Sequence, residues 1–248
     1  MSGFGVMLAA HFRGSYRLTA AILIMLSLIV LLIAGLLALV CALAIVPQTR
    51  SADPDASEVS RYLALILYTA ALVAMGMNCI VFSSNVLVKE KAQRVFESLL
   101  AAPVGVRALW MSKTLAVFLP GLVLGEGLAV AAFLAVDLFL VMPRMGFIVS
   151  PLMIFNGLAL APILYFPVCC LVFLVGLQGN PISGNVIANV VLSTMIPLIT
   201  NLAARTGLDV GSSLFAACHL ALSAAVGLLV LFLQLRLAKE RVVLSCRT

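Results

Sequence analysis

Charge is scarce in this chain: 10% of its 248 residues are Asp, Glu, Lys or Arg, against about 25% in an ordinary soluble domain. Histidine occurs twice, as His11 and His219, each isolated from other ligand types in the sequence. An intramembrane enzyme needs clustered His, Asp, Ser or Cys, and that scatter argues against one. The six cysteines show no metal-type spacing. Five of them lie in apolar runs, where a thiol behaves as a small hydrophobe. Cys169 and Cys170 are adjacent, so on a helix they point to different faces, and no metal is assigned. A G-x-x-x-x-G-K-[ST] phosphate loop is missing, as is length for a nucleotide domain, so the chain is not expected to hydrolyse ATP. Alternation of the porin kind is absent as well.

Hydrocarbon fills the space that charge leaves, with 64% of residues hydrophobic. About 20 apolar residues cross a bilayer as a helix, and several runs meet that length. The first is about 28 residues, beyond the roughly 7–15 of a signal h-region, and reads as a permanent span. The sequence predicts an all-α membrane protein, one transmembrane domain over 1–248. Its six spans fall at about 18–46, 62–87, 114–142, 148–177, 186–204 and 213–235. Residues 1–17 suit an N-terminal interfacial helix or a frayed basic tail. Pro47 ends span one, and Pro143-Arg144 is expected to stop span three. Pro151, Pro162 and Pro167 lie in span four, where prolines kink a helix. The stretch PLITNLAARTGLDVGSS reads as a broken or re-entrant segment between spans five and six.

Lys and Arg counts orient the bundle. With six spans, both termini and residues 89–113 share a side that collects eleven of the 15 Lys and Arg. Arg50, Arg61, Arg144 and Arg205 fall opposite. The rich side is expected to be cytoplasmic, placing the chain in the cytoplasmic (inner) membrane with both termini inside. The net charge of +6 then reflects topology and anionic lipid, with no nucleic acid implied.

One internal segment, KEKAQRVFESLLAAPVGVRALWMSK, carries seven ionisable side chains between greasy runs. On a helix Val95, Phe96, Leu99 and Leu100 form one stripe, flanked by Lys91, Arg94, Glu97 and Ser98. Pro103 stops the helix, and Gly105 gives a turn. Trp110 and Lys113 then fit an interfacial aromatic and a snorkelling cation where span three begins. The two-faced helix suits either the lipid surface or a groove in a cytoplasmic protein.

The same run resembles the cytoplasmic signature of type-2 class ABC transporter permeases of the exporter kind. Members of that family show an acidic-basic cluster, Gly-Thr-Leu-Glu, a Leu-Leu pair, a small residue and Pro-Val, then Gly-Lys opening the third span. Glu90, Glu97, Leu99, Leu100, Pro103, Val104 and Lys113 match in order and spacing. Arg94-Val95-Phe96 stand where Gly-Thr-Leu is usual, and Ser112 replaces the Gly. The resemblance implies an ATP-driven exporter in which two permease subunits, identical or related, line one route. Two ABC ATP-binding subunits, holding ATP and Mg, would dock beneath. Residues 89–101 would be the coupling helix, engaging through Glu90, Arg94, Phe96, Glu97, Leu99, Leu100 and Pro103, with 178–185 a smaller contact. A stand-alone secondary transporter or channel is the alternative. It would be favoured by inverted repeats, and none is visible.

Two carboxyls fall within span three. Glu126 sits near its middle in GEG, and Asp137 lies nearer the outer boundary, where water is within reach. A carboxylate at depth costs roughly 2.5–3.5 kcal/mol on insertion scales, so it usually faces a cavity or a partner. Both are candidates for the substrate pathway. Glu126 can equally serve as a proton site or as a protonated packing residue. Asn78, Asn85, Asn156, Asn189 and Asn201 are possible partners, and Gly125 and Gly127 would let another helix approach closely.

Overall fold

The computed structural model describes residues 55–83, 105–178 and 209–235. It also describes isolated helical positions at 28, 32, 35, 39, 43–47, 49, 186, 187, 189, 190, 194 and 198. Among the described residues there is no strand. Four helices are long and apolar enough to cross a membrane: α1 (Ala56–Ser83), α2 (Val106–Met145), α3 (Pro151–Gln178) and α4 (Ser213–Gln234). They define an all-α, multi-pass membrane protein.

Helix α1 starts six residues before the predicted span two. Asp55 is the cause: its Oδ1 accepts the Ser57 backbone N–H at 2.9 Å and the Ser57 hydroxyl at 2.7 Å. Its carbonyl takes the Val59 N–H at 3.2 Å. An Asp in that position satisfies an orphan donor of the first turn. The polar residues Ser57, Glu58 and Arg61, which lie between the predicted spans one and two, therefore become helix, with Arg61 3.9 Å from Glu58.

Helix α2 differs from the predicted span three at both ends. It begins at Val106 after the extended Gly105, and it runs through Pro143 to Met145. The reason lies in Asp137–Val141, a π-helical turn in which the Met142 N–H reaches back to the Asp137 carbonyl. A proline ring normally crowds the carbonyl four residues earlier, and the wider turn just before Pro143 makes room for it. Gly146 stops the helix instead, with φ of 78°, a conformation open to glycine without steric cost. Trp110 and Lys113 consequently sit one to two turns inside α2, and they are buried at 3% and 1% exposure. Both side chains are packed within the bundle.

Helix α3 opens on Ser150, whose Oγ accepts the Met153 N–H at 3.1 Å, followed by Pro151. It passes through a second π-helical stretch, Phe155–Leu160, and continues past Pro167 to Gln178. Ser212 caps α4 in the same manner, accepting from Phe215 at 3.2 Å. The observed α4 coincides with the predicted span six to within a residue.

Helix α1 is the axis of the bundle. It is buried around most of its circumference, from Val59 through Leu63, Leu67 and Leu72 to Cys79. A helix that is apolar all round belongs in the interior. Its neighbours approach on glycines, as small residues permit between membrane helices. A Cβ on Gly125 of α2 would stand 2.6 Å from Met75 Cγ, and one on Gly157 of α3 would collide with Leu67. The pairings Leu67 with Gly157 and Asn78 with Tyr165 show that α1 and α3 run parallel. Those of Asn78 with Val117 and Met75 with Gly125 show α2 running antiparallel to them. Asn156 with Ser212 at one end and Gln178 with Leu233 at the other make α4 parallel to α3. The chain between Gln178 and Asp209 therefore joins opposite ends of the bundle. Residues 83 and 105 lie at the same end.

The N-terminal interfacial helix and the 89–101 helix fall outside the described residues, as does the broken segment before span six apart from Leu198 and residues 209–213. Of spans one and five, only the isolated positions above are described. Among them Ile45 is fully buried and Ile187 packs on the same core.

Candidate functional site: polar groups within the spans

Three sets of polar side chains lie inside the helices that cross the membrane. In the half nearer residues 83 and 105, the Asn78 amide donates to the Val117 carbonyl at 2.9 Å and to the Tyr165 hydroxyl at 3.1 Å. Beside it the thiols of Cys79 and Cys169 meet at 3.6 Å, both free and buried. Cys170 faces the other way, into a cluster with Phe173 and Leu109, as adjacent positions on a helix require. The Trp110 indole N–H donates to the Cys170 carbonyl at 3.1 Å, tying α2 to α3. Each of these contacts gives a buried donor a partner that hydrocarbon cannot supply.

The second set lies in the other half. His219 Nε2 is 2.9 Å from the Leu160 carbonyl. A carbonyl only accepts, so Nε2 carries the ring proton, and Nδ1 accepts from the Tyr68 hydroxyl at 3.2 Å. Phe215 packs edge-on to Tyr68 and stacks on the His219 ring. Asn156, fully buried in the π-helical part of α3, donates to the carbonyls of Val210 at 2.7 Å and Ser212 at 3.0 Å. It anchors the start of α4 to α3. From sequence His219 is an isolated histidine. Its partner Tyr68 is 151 residues away, and no local pattern signals such a pair.

The third set is the pair of carboxyls on α2. Glu126 is half-buried, yet neither of its oxygens is exposed or hydrogen-bonded. Asp137 opens the π-helical turn and is fully buried, so it does not reach water as its position near the span boundary suggested. Its oxygens also lack hydrogen-bond partners. Asn78 and Asn156, possible partners on the sequence reading, turn their amide nitrogens to other groups, and their Oδ1 atoms bond neither carboxyl. Gly125 meets α1 closely, whereas nothing lies within 4 Å of a Cβ on Gly127. Only one of the two flanking glycines therefore serves a close helix approach.

The sequence-predicted coupling residues Glu90, Arg94, Phe96, Glu97, Leu99, Leu100 and Pro103 lie outside the described residues. Lys113, which closes the same motif, is buried in the bundle. Among the described residues no three His, Cys, Asp or Glu side chains converge on a metal position.

Fold and polar interior define the class, a helical multi-pass membrane protein carrying two carboxyls without hydrogen bonds in one of its spans. No protein-family profile, curated protein or solved structure matches the chain.

Proposed function

We propose that this chain is the membrane-spanning permease subunit of an ATP-driven ABC exporter. Two such subunits, identical or related, form the route through the cytoplasmic membrane, and each is driven by a separate ATP-binding subunit. The observation that carries the reading is the segment 89–113, where an apolar stripe with a charged rim precedes Pro103 and matches the family signature. Chain geometry supports it: α1 ends and α2 begins at the same end of the bundle, so a segment joining them is available at one membrane face. The Lys and Arg distribution makes that face cytoplasmic.

In this mechanism ATP and Mg bind the partner ATPases, whose closure pushes on the 89–101 helix. Because that helix is continuous in sequence with α1 and α2, the push tilts both. Helix α1 is the buried axis of the bundle, so its displacement is felt by α2 and α3 through the glycine contacts. Glu126 and Asp137 lie along the route.

The experiment is co-purification of the ATP-binding subunit with the permease. Glu97→Lys and Leu99→Asp are expected to abolish it while leaving membrane insertion intact, because one reverses a rim charge and the other places a charge in the apolar stripe. Undiminished co-purification with both variants sinks the reading and favours a transporter or channel that works alone.

A further inference from the structure

Eleven residues separate Glu126 from Asp137. At 100° per residue that is 20° from three full turns, with a rise of about 16 Å. The two carboxyls therefore occupy one stripe of α2. Val130 and Phe133 fill the positions between them, the first at the open edge and the second packed inward. No nitrogen or oxygen side chain interrupts the stripe.

Glu126 is the informative member. A protonated carboxyl still needs an acceptor for its O–H, and an ionised one needs donors or a cation. Neither oxygen has a hydrogen-bond partner among the described residues. Lys113, the buried cation on the same helix, lies thirteen residues away, about 20 Å along the axis and about 140° around it. The one ion pair among the described residues joins Arg61 to Glu58 beyond the start of α1. Among the described residues Glu126 thus has neither a hydrogen-bond partner nor an ion pair, and ionisable groups within membrane helices mark substrate or ion pathways.

The surroundings restrict what compensates it. Calcium takes six to eight oxygen ligands and magnesium keeps a near-octahedral oxygen shell, whereas this stripe offers hydrocarbon on either side of a single carboxyl. An organic cation brings its own apolar body to lie against Val123 and Val130, the exposed apolar side chains one turn to either side of Glu126. We propose that the Glu126 stripe of α2 binds a monovalent lipophilic organic cation, which makes such cations the substrate class of this permease. The assignment rests on the reading that a transport route runs along this chain.

Tetraphenylphosphonium and tetraphenylborate provide the test, since they share size and apolar surface and differ in the sign of their charge. Binding is measured on the purified full-length permease in detergent, without any ATPase. Tetraphenylphosphonium is expected to bind at least tenfold more weakly to E126Q than to the wild type, while E126D retains binding. Tetraphenylborate binding should be the same in wild type and E126Q. Equal tetraphenylphosphonium binding by wild type and E126Q overturns the proposal. If E126Q does not fold, the wild-type protein decides through dicyclohexylcarbodiimide labelling of Glu126, read by mass spectrometry. Protection by tetraphenylphosphonium and not by tetraphenylborate supports the site, and protection by neither overturns it. No ATP-binding subunit takes part, so failure here leaves the docking result untouched, and failed docking leaves this result standing.

Discussion

Glycines along α2 look interchangeable in sequence and are not so in the bundle. A Cβ on Gly121 would collide with the Tyr165 hydroxyl and stand 2.5 Å from the Asn78 amide nitrogen, at the point where three helices meet. A Cβ on Gly127 meets nothing. Gly121→Ala must therefore push apart a hydrogen-bonded pair, and overpacking of that kind costs about 1–3 kcal/mol. Gly127→Ala should stay within about 0.5 kcal/mol of the wild type. Thermal unfolding in detergent measures both, and equal melting temperatures for the two variants would refute the packing described at Gly121. Residue identity was legible here and residue role was not. GEG announced a close approach at Gly125 and Gly127, yet only a three-dimensional neighbour distinguishes a glycine that touches Met75 from one that touches nothing. Tyr68 and His219 show the same limit, because a pair 151 residues apart leaves no periodic trace.

At the scale of helices, most of the disagreement between sequence and structure lies at the ends. Hydropathy marks the apolar stretch that must be helical, and it is silent about polar residues that extend the helix beyond it. Asp55 sets the start of α1 through its two bonds from Ser57. Those bonds, the side-chain one foremost, hold the exposed Asp55 carboxyl below the usual carboxylate range. A carboxylate lowered in the folded state stabilises it fully above its unfolded value of about 3.9. The contribution disappears as pH falls through the lowered folded value. Asp55→Ala is thus expected to melt at a lower temperature than the wild type at pH 7, with the gap closing on acidification below about pH 4. A gap unchanged across that range would show that the Asp55 charge does not contribute to the cap. The far end of α2 illustrates the converse. Pro143 reads as a stop by its chemistry, and it is carried inside the helix because the π-helical turn before it relieves the clash.

For the whole molecule, direction is the quantity that matters. Helices α1, α3 and α4 run one way and α2 the other, so Ser57 and Arg144 lie at one end and Arg107 at the opposite end. In the proposed orientation, with the Lys- and Arg-rich side facing inward, the Arg107 end is cytoplasmic. A membrane-impermeant maleimide applied to intact cells should modify Ser57→Cys and Arg144→Cys. Arg107→Cys should react only after permeabilisation. Labelling of Arg107→Cys in intact cells would invert the orientation and remove the 84–104 segment from the reach of a cytoplasmic ATPase. Parallel α3 and α4 require the chain between Gln178 and Asp209 to connect opposite ends of the bundle, the task that the sequence reading gives to span five.

By itself the sequence determined that these stretches are helices in a membrane, because in hydrocarbon the backbone must satisfy its own hydrogen bonds and long apolar runs can do so only as helices. It also determined where charge is rare enough to be conspicuous, at Glu126, Asp137 and the 89–113 segment. Tertiary structure alone decided that α1 is the central helix, that Asn78 bonds Tyr165 and Val117, and that Glu126 has no hydrogen-bond partner. Such facts depend on which faces meet across helices far apart in the chain. Uniformly apolar helices carry almost no amphipathic pattern from which those faces could be read.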